Sequence, residues 1–317
     1  MPLGGYRQRM ILIAGEALVD LLVDPAGHVR AVLGGGPFNA VRTVARLGHP
    51  CAFVGRLSSD RFGRRLAAAL AADGVTIAVA DPCDEPTTLA AAELDESGAA
   101  TYRFYMTATS ATLLRPQHLP STREADALHV GSLALVLEPI ASTLLAWLRA
   151  CSNDVLVMVD LNARPRAVTD SAHYRARLHE FARVAHIIKA STEDLAFLFP
   201  GVAPATAAQR LLDGGVAVVL LTDGGEPVQV LTAAGTREVA VPAVRVVDTV
   251  GAGDAFGAAT LTAWLEGGRG RAELADIDED ALVALTAAAR FGAHVSAVTC
   301  TRTGADPPSR AELGEIT

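Results

Sequence analysis

The chain has 317 residues, half of them hydrophobic, and a formal net charge of −8. That is apolar surface enough for a large core, in one α/β domain or two smaller ones, and it excludes a disordered chain. The acidic balance, with no Lys/Arg cluster against it, excludes a nucleic-acid-binding surface.

Residues 1–9 are polar and Gly-rich and are expected to be a disordered leader. No basic start followed by an apolar stretch marks a signal peptide, and no apolar run reaches the length of a membrane span. Continuous apolar runs predict buried strands at 10–14, 51–54, 127–130, 155–159, 186–188 and 216–221. Helical spacing falls between them, at 39–47, 61–73, 139–150, 174–185 and 206–212, with Pro37 suited to a first turn and Gly48 to an end. Strands alternating with helices imply right-handed crossovers and a parallel sheet between two helical layers. Segments 18–33 and 87–105 break that rhythm. They alternate apolar with polar residues around turns at Pro25-Ala26-Gly27 and Asp95-Glu96-Ser97-Gly98, which predicts a small separate sheet. Placed early in the chain, such a sheet would be a lid over the edge of the large one.

Chemistry enters in the same order. Asp20 lies in Gly15-Glu16-Ala17-Leu18-Val19-Asp20, just after the first strand, where ligands meet parallel sheets. It reads either as a grip on sugar hydroxyls or as a solvated turn residue. Gly34-Gly35-Gly36-Pro37-Phe38-Asn39 permits close approach of a polar ligand, or is an ordinary Gly-rich loop before a helix. It is not a dinucleotide fingerprint, because Asn39 replaces the third glycine. The four cysteines are far apart, with no Cys-x-x-Cys pair, and are expected to be reduced thiols in a cytosolic protein. The lone lysine, Lys189, has no preceding glycine, so a P-loop is excluded.

The strongest signal is Asp248-Thr249-Val250-Gly251-Ala252-Gly253-Asp254-Ala255-Phe256. A strand-like run, 244–247, precedes it, and a small, apolar stretch expected to be a buried helix follows. The Gly251, Ala252 and Gly253 amides would form an anion nest at that helix's N-terminus, with Asp254 beside it as proton acceptor. The helix dipole is expected to keep Asp254 ionised, as a general base requires. Phosphoryl transfer to a hydroxyl needs this pairing of donors and base. A simple strand-to-helix turn with a capping Asp would carry similar residues.

Gly35-Gly36-x-x-Asn39 together with the Asp248–Phe256 motif resembles the two signatures of the ribokinase-like (PfkB) carbohydrate kinases, and the likeness runs from about residue 10 to 308. Asp160-Leu161-Asn162-Ala163-Arg164-Pro165, Phe104-Tyr105, the opening at 15–20 and the segment 298–305 resemble fructokinases of that family. The resemblance implies a ribokinase-like three-layer αβα sandwich, a single domain over residues 10–308, with lid strands from about 18–33 and 87–105. It implies ATP-dependent phosphorylation of a primary hydroxyl of a neutral sugar, fructose first, in the cytoplasm. Asp254 would be the base, with the Gly251, Ala252 and Gly253 amides as anion hole. Asp20, Gly35, Gly36, Asn39, Tyr105 and Arg164 would serve the sugar and its phosphate. Thr222, Gly224, Gly251 and Gly253 would meet the nucleotide. Asp194 would serve Mg²⁺, and Asp248 a K⁺ ion. A homodimer is expected from the free edges of the lid sheet.

The chain departs from the family pattern at three places. The Asn-x-x-Glu that organises Mg²⁺ falls on Ser191-Thr192-Glu193-Asp194, and Pro227 stands where the nucleotide loop has its second glycine. Met106 occupies the place of an arginine that meets acidic sugars in 2-keto-3-deoxygluconate kinases, which disfavours an acidic acceptor. Ribose, 2-keto-3-deoxygluconate or a nucleoside as acceptor, or a catalytically silent sugar sensor, remain alternatives. Aromatics are few near Asp20 and Asn39, which disfavours a nucleoside. A Rossmann dehydrogenase lacks its glycines after the first strand.

Overall fold

The computed structural model describes residues 10–94, 100–151 and 153–314; the leader at 1–9 and the turn at 95–98 lie outside them. In chain order the first half gives β1 (Met10–Ala14), β2 (Leu18–Val23), β3 (Val29–Gly34), α1 (Gly36–Arg46), β4 (Cys51–Val54) and α2 (Arg61–Ala72). Then come β5 (Thr76–Ile77), β6 (Leu89–Leu94), β7 (Ala100–Tyr105), β8 (Ala125–Gly131), α3 (Ile140–Ala150) and β9 (Leu156–Asp160). The second half adds α4 (Ser171–Ala182), β10 (Ile187–Ser191), α5 (Thr192–Leu198), α6 (Pro204–Asp213) and β11 (Val218–Thr222). It ends with β12 (Val228–Thr232), β13 (Gly235–Val239), α7 (Ala252–Glu266) and α8 (Glu279–Cys300).

Apolar runs without alternation should be covered on both faces, and they are. The large sheet has the order β13-β12-β11-β10-β9-β8-β1-β4-β5, parallel from β11 to β5 and closed at one end by the antiparallel β12–β13 hairpin. One face packs against α3, α4, α5 and α6 through residues such as Leu144, Phe181, Leu195 and Leu211. The other packs against α1, α2, α7 and α8 through Phe38, Leu66, Phe256 and Leu285. The result is the expected three-layer αβα sandwich. The second sheet has the order β3-β2-β6-β7, two hairpins joined by the parallel β2–β6 pair.

Apart from the run at 244–247, the predicted strands and helices are present, with ends moved by a few residues. The change at α1 matters most, because Pro37 sits in its first turn and places Asn39 inside the helix, buried, and not at its start. One expectation fails. Residues 244–247 are not a strand: Val246 is 58% exposed, and the Val247 and Asp248 amides donate to the Cys300 carbonyl at the end of α8. The segment returns the chain from β13 to the cleft across α8, so its amides find a helix end in place of a strand.

By length and composition α8 is apolar enough to cross a membrane, and in the fold it lies along α7 and over β12 and β13. The two helices approach closely where Gly292 faces α7. A Cβ there would overlap the Thr260 hydroxyl and come within 2.7 Å of the Phe256 carbonyl. Gly292→Ala should therefore lower stability in urea denaturation by about 1–3 kcal/mol, the usual cost of overpacking a core. An unchanged midpoint would mean that α8 can slide away freely.

Candidate active site

Parallel strands deliver their carboxyl ends to one rim, and the connections reverse direction between β8 and β1, where a crevice is expected. A cavity of about 640 Å³ opens at this rim, with the small sheet across it. Glu16 follows β1, Ser132 follows β8, Asn162 and Arg164 follow β9, and Glu193 follows β10; all five line it.

Asp254 is at its floor, in the first turn of α7 and only 8% exposed. Its carboxylate accepts hydrogen bonds from Asn39 Nδ2 at 2.9 Å and Asn162 Nδ2 at 3.2 Å. A Cβ on Gly36 would lie 3.2 Å from Asp254 Oδ1 and 3.0 Å from Ser132, so the bare glycine gives the acid room where α1 meets it. Burial raises the Asp254 pKa above the ordinary aspartate value, against the Asn39 hydrogen bond and the charges of Lys189 and Arg164. The helix dipole therefore does not dominate, contrary to expectation: desolvation in a closed rim outweighs it. A carboxylate of raised pKa is the stronger proton acceptor.

The turn before it has Gly251 in the left-handed region at φ 79°, with no side chain capping α7. Gly251 and Gly253 line the cavity. The Ala252 amide already donates to the Thr249 carbonyl at 3.2 Å, so it is engaged within the turn that it was expected to leave open.

Asp20 reaches the same cavity from the lid: it is on β2, not at the end of the first strand. Burial pushes its pKa up to about 6, against the pull of Arg164 and with the charge of Asp254. The space for its carboxylate is made by Gly34, where a Cβ would overlap Asp20 Oδ2. Gly35, Gly36 and Asn39 also line the cavity. Tyr105 does not. It is 57% exposed, and the cavity face of β7 presents Tyr102 and Phe104, whose rings stack with centroids 6.1 Å apart. Strand alternation makes a shift of one residue a change of face. Aromatic walls are thus present near Asp20, which removes the reason for disfavouring a nucleoside.

The two residues expected at metal ions have their oxygens engaged by backbone amides. Asp194 accepts from the Ala163 amide at 2.7 Å and the Ser191 amide at 2.8 Å, forming a capping box on α5. Asp248 accepts from the Val250 amide at 3.0 Å and the Gly304 amide at 2.8 Å. Among the described residues no group of three or more His, Cys, Asp or Glu side chains could cage a metal ion. Glu193, exposed, is the acid from that segment that faces the cavity. Thr222 and Gly224 lie outside the cavity lining, at the end of β11, where Thr222 pairs in register with Ser191. Gly224 has φ 54° and lies in the turn that precedes Pro227.

Two further buried groups stand at the site, Lys189 behind the cavity and Glu16 in its lining. Lys189, noted only for lacking a preceding glycine, pairs with Asp160 at 3.1 Å beneath α7. Glu16 accepts from the Ala134 amide at 3.1 Å, and burial pushes its pKa up to about 7. A lysine or glutamate inside an apolar strand pattern was the available signal, since such residues are rarely buried without a partner.

A model of the "pfkB family carbohydrate kinase" matches residues 9–312. The chain belongs to the PfkB family of carbohydrate kinases. It is 34% identical to a fructokinase from Rhizobium leguminosarum bv. trifolii over 283 residues, 86% of this chain and 85% of that one. Its fold matches a fructokinase with bound ATP from Xylella fastidiosa, with a TM-score of 0.87, 30% identity and coverage of 96% and 97%. An aminoimidazole riboside kinase from Salmonella enterica matches with a TM-score of 0.80 and 25% identity, over 94% of this chain and 95% of that one. The lid, the rim and the Asp254 turn are therefore parts of a PfkB sugar kinase.

Glu16 provides a test of the rim's electrostatics. Its folded pKa of about 7 lies above the ordinary glutamate value of 4.5, so the fold favours the neutral acid and loses stability as pH rises between these values. Glu16→Gln stays neutral, so its melting temperature relative to wild type should rise from pH 5 to pH 8.5. A difference independent of pH would contradict the burial of this carboxyl. Gly34→Ala, by displacing Asp20, should raise the KM for sugar at least about tenfold, the loss of one charged hydrogen bond, with KM for ATP unchanged.

Proposed function

We propose that this PfkB kinase transfers the γ-phosphoryl group of ATP to a primary hydroxyl of fructose, with Asp254 as general base. A single kinase domain over residues 10–308 carries the reaction, with lid segments 18–33 and 87–105. The observation that carries the reading is the buried Asp254 carboxylate. It is held by Asn39 and Asn162 at the uncapped first turn of α7, on the floor of a cavity that Asp20 and Arg164 also face. The names of the relatives, fructokinases, supply the acceptor and the nucleotide.

Asp20 and Asn39 hold sugar hydroxyls, and Gly35 and Gly36 let the sugar approach the backbone. Asp254 takes the proton of the attacking hydroxyl as its oxygen bonds to the γ-phosphorus. The bond from that phosphorus to the bridging oxygen breaks, and ADP leaves with the bonding pair. The Gly251 and Gly253 amides and the Arg164 guanidinium receive the charge on the moving group. Glu193 and Asp194 would stand toward the Mg²⁺ that accompanies ATP, and that ion would neutralise phosphate charge. The lid keeps water from competing as acceptor. Thr222 and Gly224 serve the nucleotide beyond the cavity, and Asp248, which accepts from the Gly304 amide, would be the residue beside a K⁺ ion. We assign the enzyme to the cytoplasm and its lid edges to a homodimer.

A riboside acceptor is the second reading, favoured by the stacked Tyr102 and Phe104 on the cavity wall. An ADP-release assay with MgATP and KCl, run with fructose, ribose, tagatose, 2-keto-3-deoxygluconate and aminoimidazole riboside, separates the two. Fructose should be turned over selectively, and Asp254→Asn should cut kcat about 10²–10⁴-fold while sugar binding persists. Selective turnover of the riboside would replace the acceptor, and binding without turnover would leave a sensor. Because Asp254 must be ionised and its pKa is raised, kcat/KM should fall on the acid side through an ionisation above the ordinary aspartate range.

A further inference from the structure

We infer that Lys189 is a positioning residue for this reaction: its ammonium, seated behind Gly253, holds a fixed positive charge under the phosphoryl-binding turn and Asp254. The inference rests on the kinase reading above.

Lys189 stands on β10 on the face of the sheet that α7 covers, and its side chain is 6% exposed. Its Nζ is 3.1 Å from Asp160 Oδ1, on the neighbouring strand in direct register. A Cβ on Gly253 would come 2.8 Å from this Nζ and 3.6 Å from Cε. Gly253 also lines the cavity. One glycine's thickness of backbone therefore separates a buried cation from the place where phosphate charge gathers.

Burying an ammonium is costly, and a core pair of this kind could be replaced by apolar residues without loss of stability. The charges around it give the cation a use. Asp160 on β9, Asp194 on α5 and Asp254 on α7 all face it, and together they raise its pKa against burial. His129 on β8 contributes no competing cation, because burial and Lys189 itself push its pKa down to about 4. Arg164 approaches Asp254 from the cavity side. A triphosphate arriving at the turn adds negative charge to a cluster already rich in carboxylates. In a low-dielectric interior the ammonium offsets that charge without touching it. It also favours the ionised form of Asp254, which the base needs. The P-loop lysine contacts phosphate from the front; here a lysine would act from behind, through the glycine.

The test compares Asp160→Asn with Asp160→Asn/Lys189→Met, since methionine keeps an unbranched chain out to Cε, with sulfur in place of Cδ, and lacks the charged atom. Losing Asp160 alone leaves the cation less neutralised, so the acid limb of kcat/KM should move to lower pH than wild type. Removing the cation in that background should move it back up by about one unit, a typical shift for one nearby charge. It should also lower kcat about tenfold and leave the KM for fructose within about twofold. Limbs of the two variants within about 0.3 unit, or a kcat unchanged between them, would overturn the inference. A stability cycle reads the same geometry without turnover. Gly253→Ala should lower the melting temperature of Asp160→Asn and leave that of Asp160→Asn/Lys189→Met nearly unchanged, because the clashing atom is Nζ. An equal loss in both backgrounds removes Lys189 from beneath the turn. If wild type phosphorylates none of the acceptors, the kinase reading fails, and the stability cycle still reports on Lys189.

Discussion

The structure depends on keeping one carboxylate out of water at the start of a helix. Asp254 would lose several kcal/mol if it were buried charged without partners, and its two carboxylate oxygens are met by the side-chain amides of Asn39 and Asn162. Those asparagines come from α1 and from the segment after β9, 215 and 92 residues before Asp254 in the chain. Bringing them together requires the α1–α7 packing, the parallel sheet between them and the glycine at 36 that lets α1 approach. The acid, the helix start and the sheet rim are one arrangement, and a change in any of them reaches the other two.

Around this floor the cavity has two kinds of wall. The rim side is rigid, with strand ends in register and carboxylates tied to backbone amides, as at Asp194 and Asp248. The lid side is a four-stranded sheet that contributes Asp20, Tyr102 and Phe104 and has free edges. A PfkB kinase needs both: a fixed place for phosphoryl chemistry and a cover that excludes water while it admits sugar. Asp20 on the cover and Asp254 on the floor carry raised pKa values because closing the cavity removes water from both.

Much of this was legible in the chain. The period of the apolar runs marked the strands of the large sheet, because strands covered on both faces cannot alternate. Asp20, Gly35, Gly36, Asn39, Arg164, Gly251, Gly253 and Asp254, drawn from four separated stretches, line one cavity. The departures have physical causes. Tyr105 falls on the outer face because the cavity face of β7 is set by pairing register, which a single strand's sequence does not reveal. The apolar run at 244–247 resembled a strand, yet its amides meet the end of α8. Asp194 and Asp248, expected at metal ions, also accept from the backbone amides of Ala163 and Gly304, contacts between separated segments that the sequence does not show.

By itself the sequence determined the layered α/β class, the helix that starts at the Gly-Ala-Gly turn and the acid placed beside it, because each follows from local periodicity and backbone freedom. It also determined the family, through motifs whose residue types the chemistry requires. Only the tertiary structure decided which side chains meet. The pairing of Lys189 with Asp160, the burial of Glu16, the glycine at 34 that accommodates Asp20 and the direction of the Asp254 pKa all arise from contacts between distant segments. Desolvation and close approach belong to the packed molecule. No local pattern encodes them.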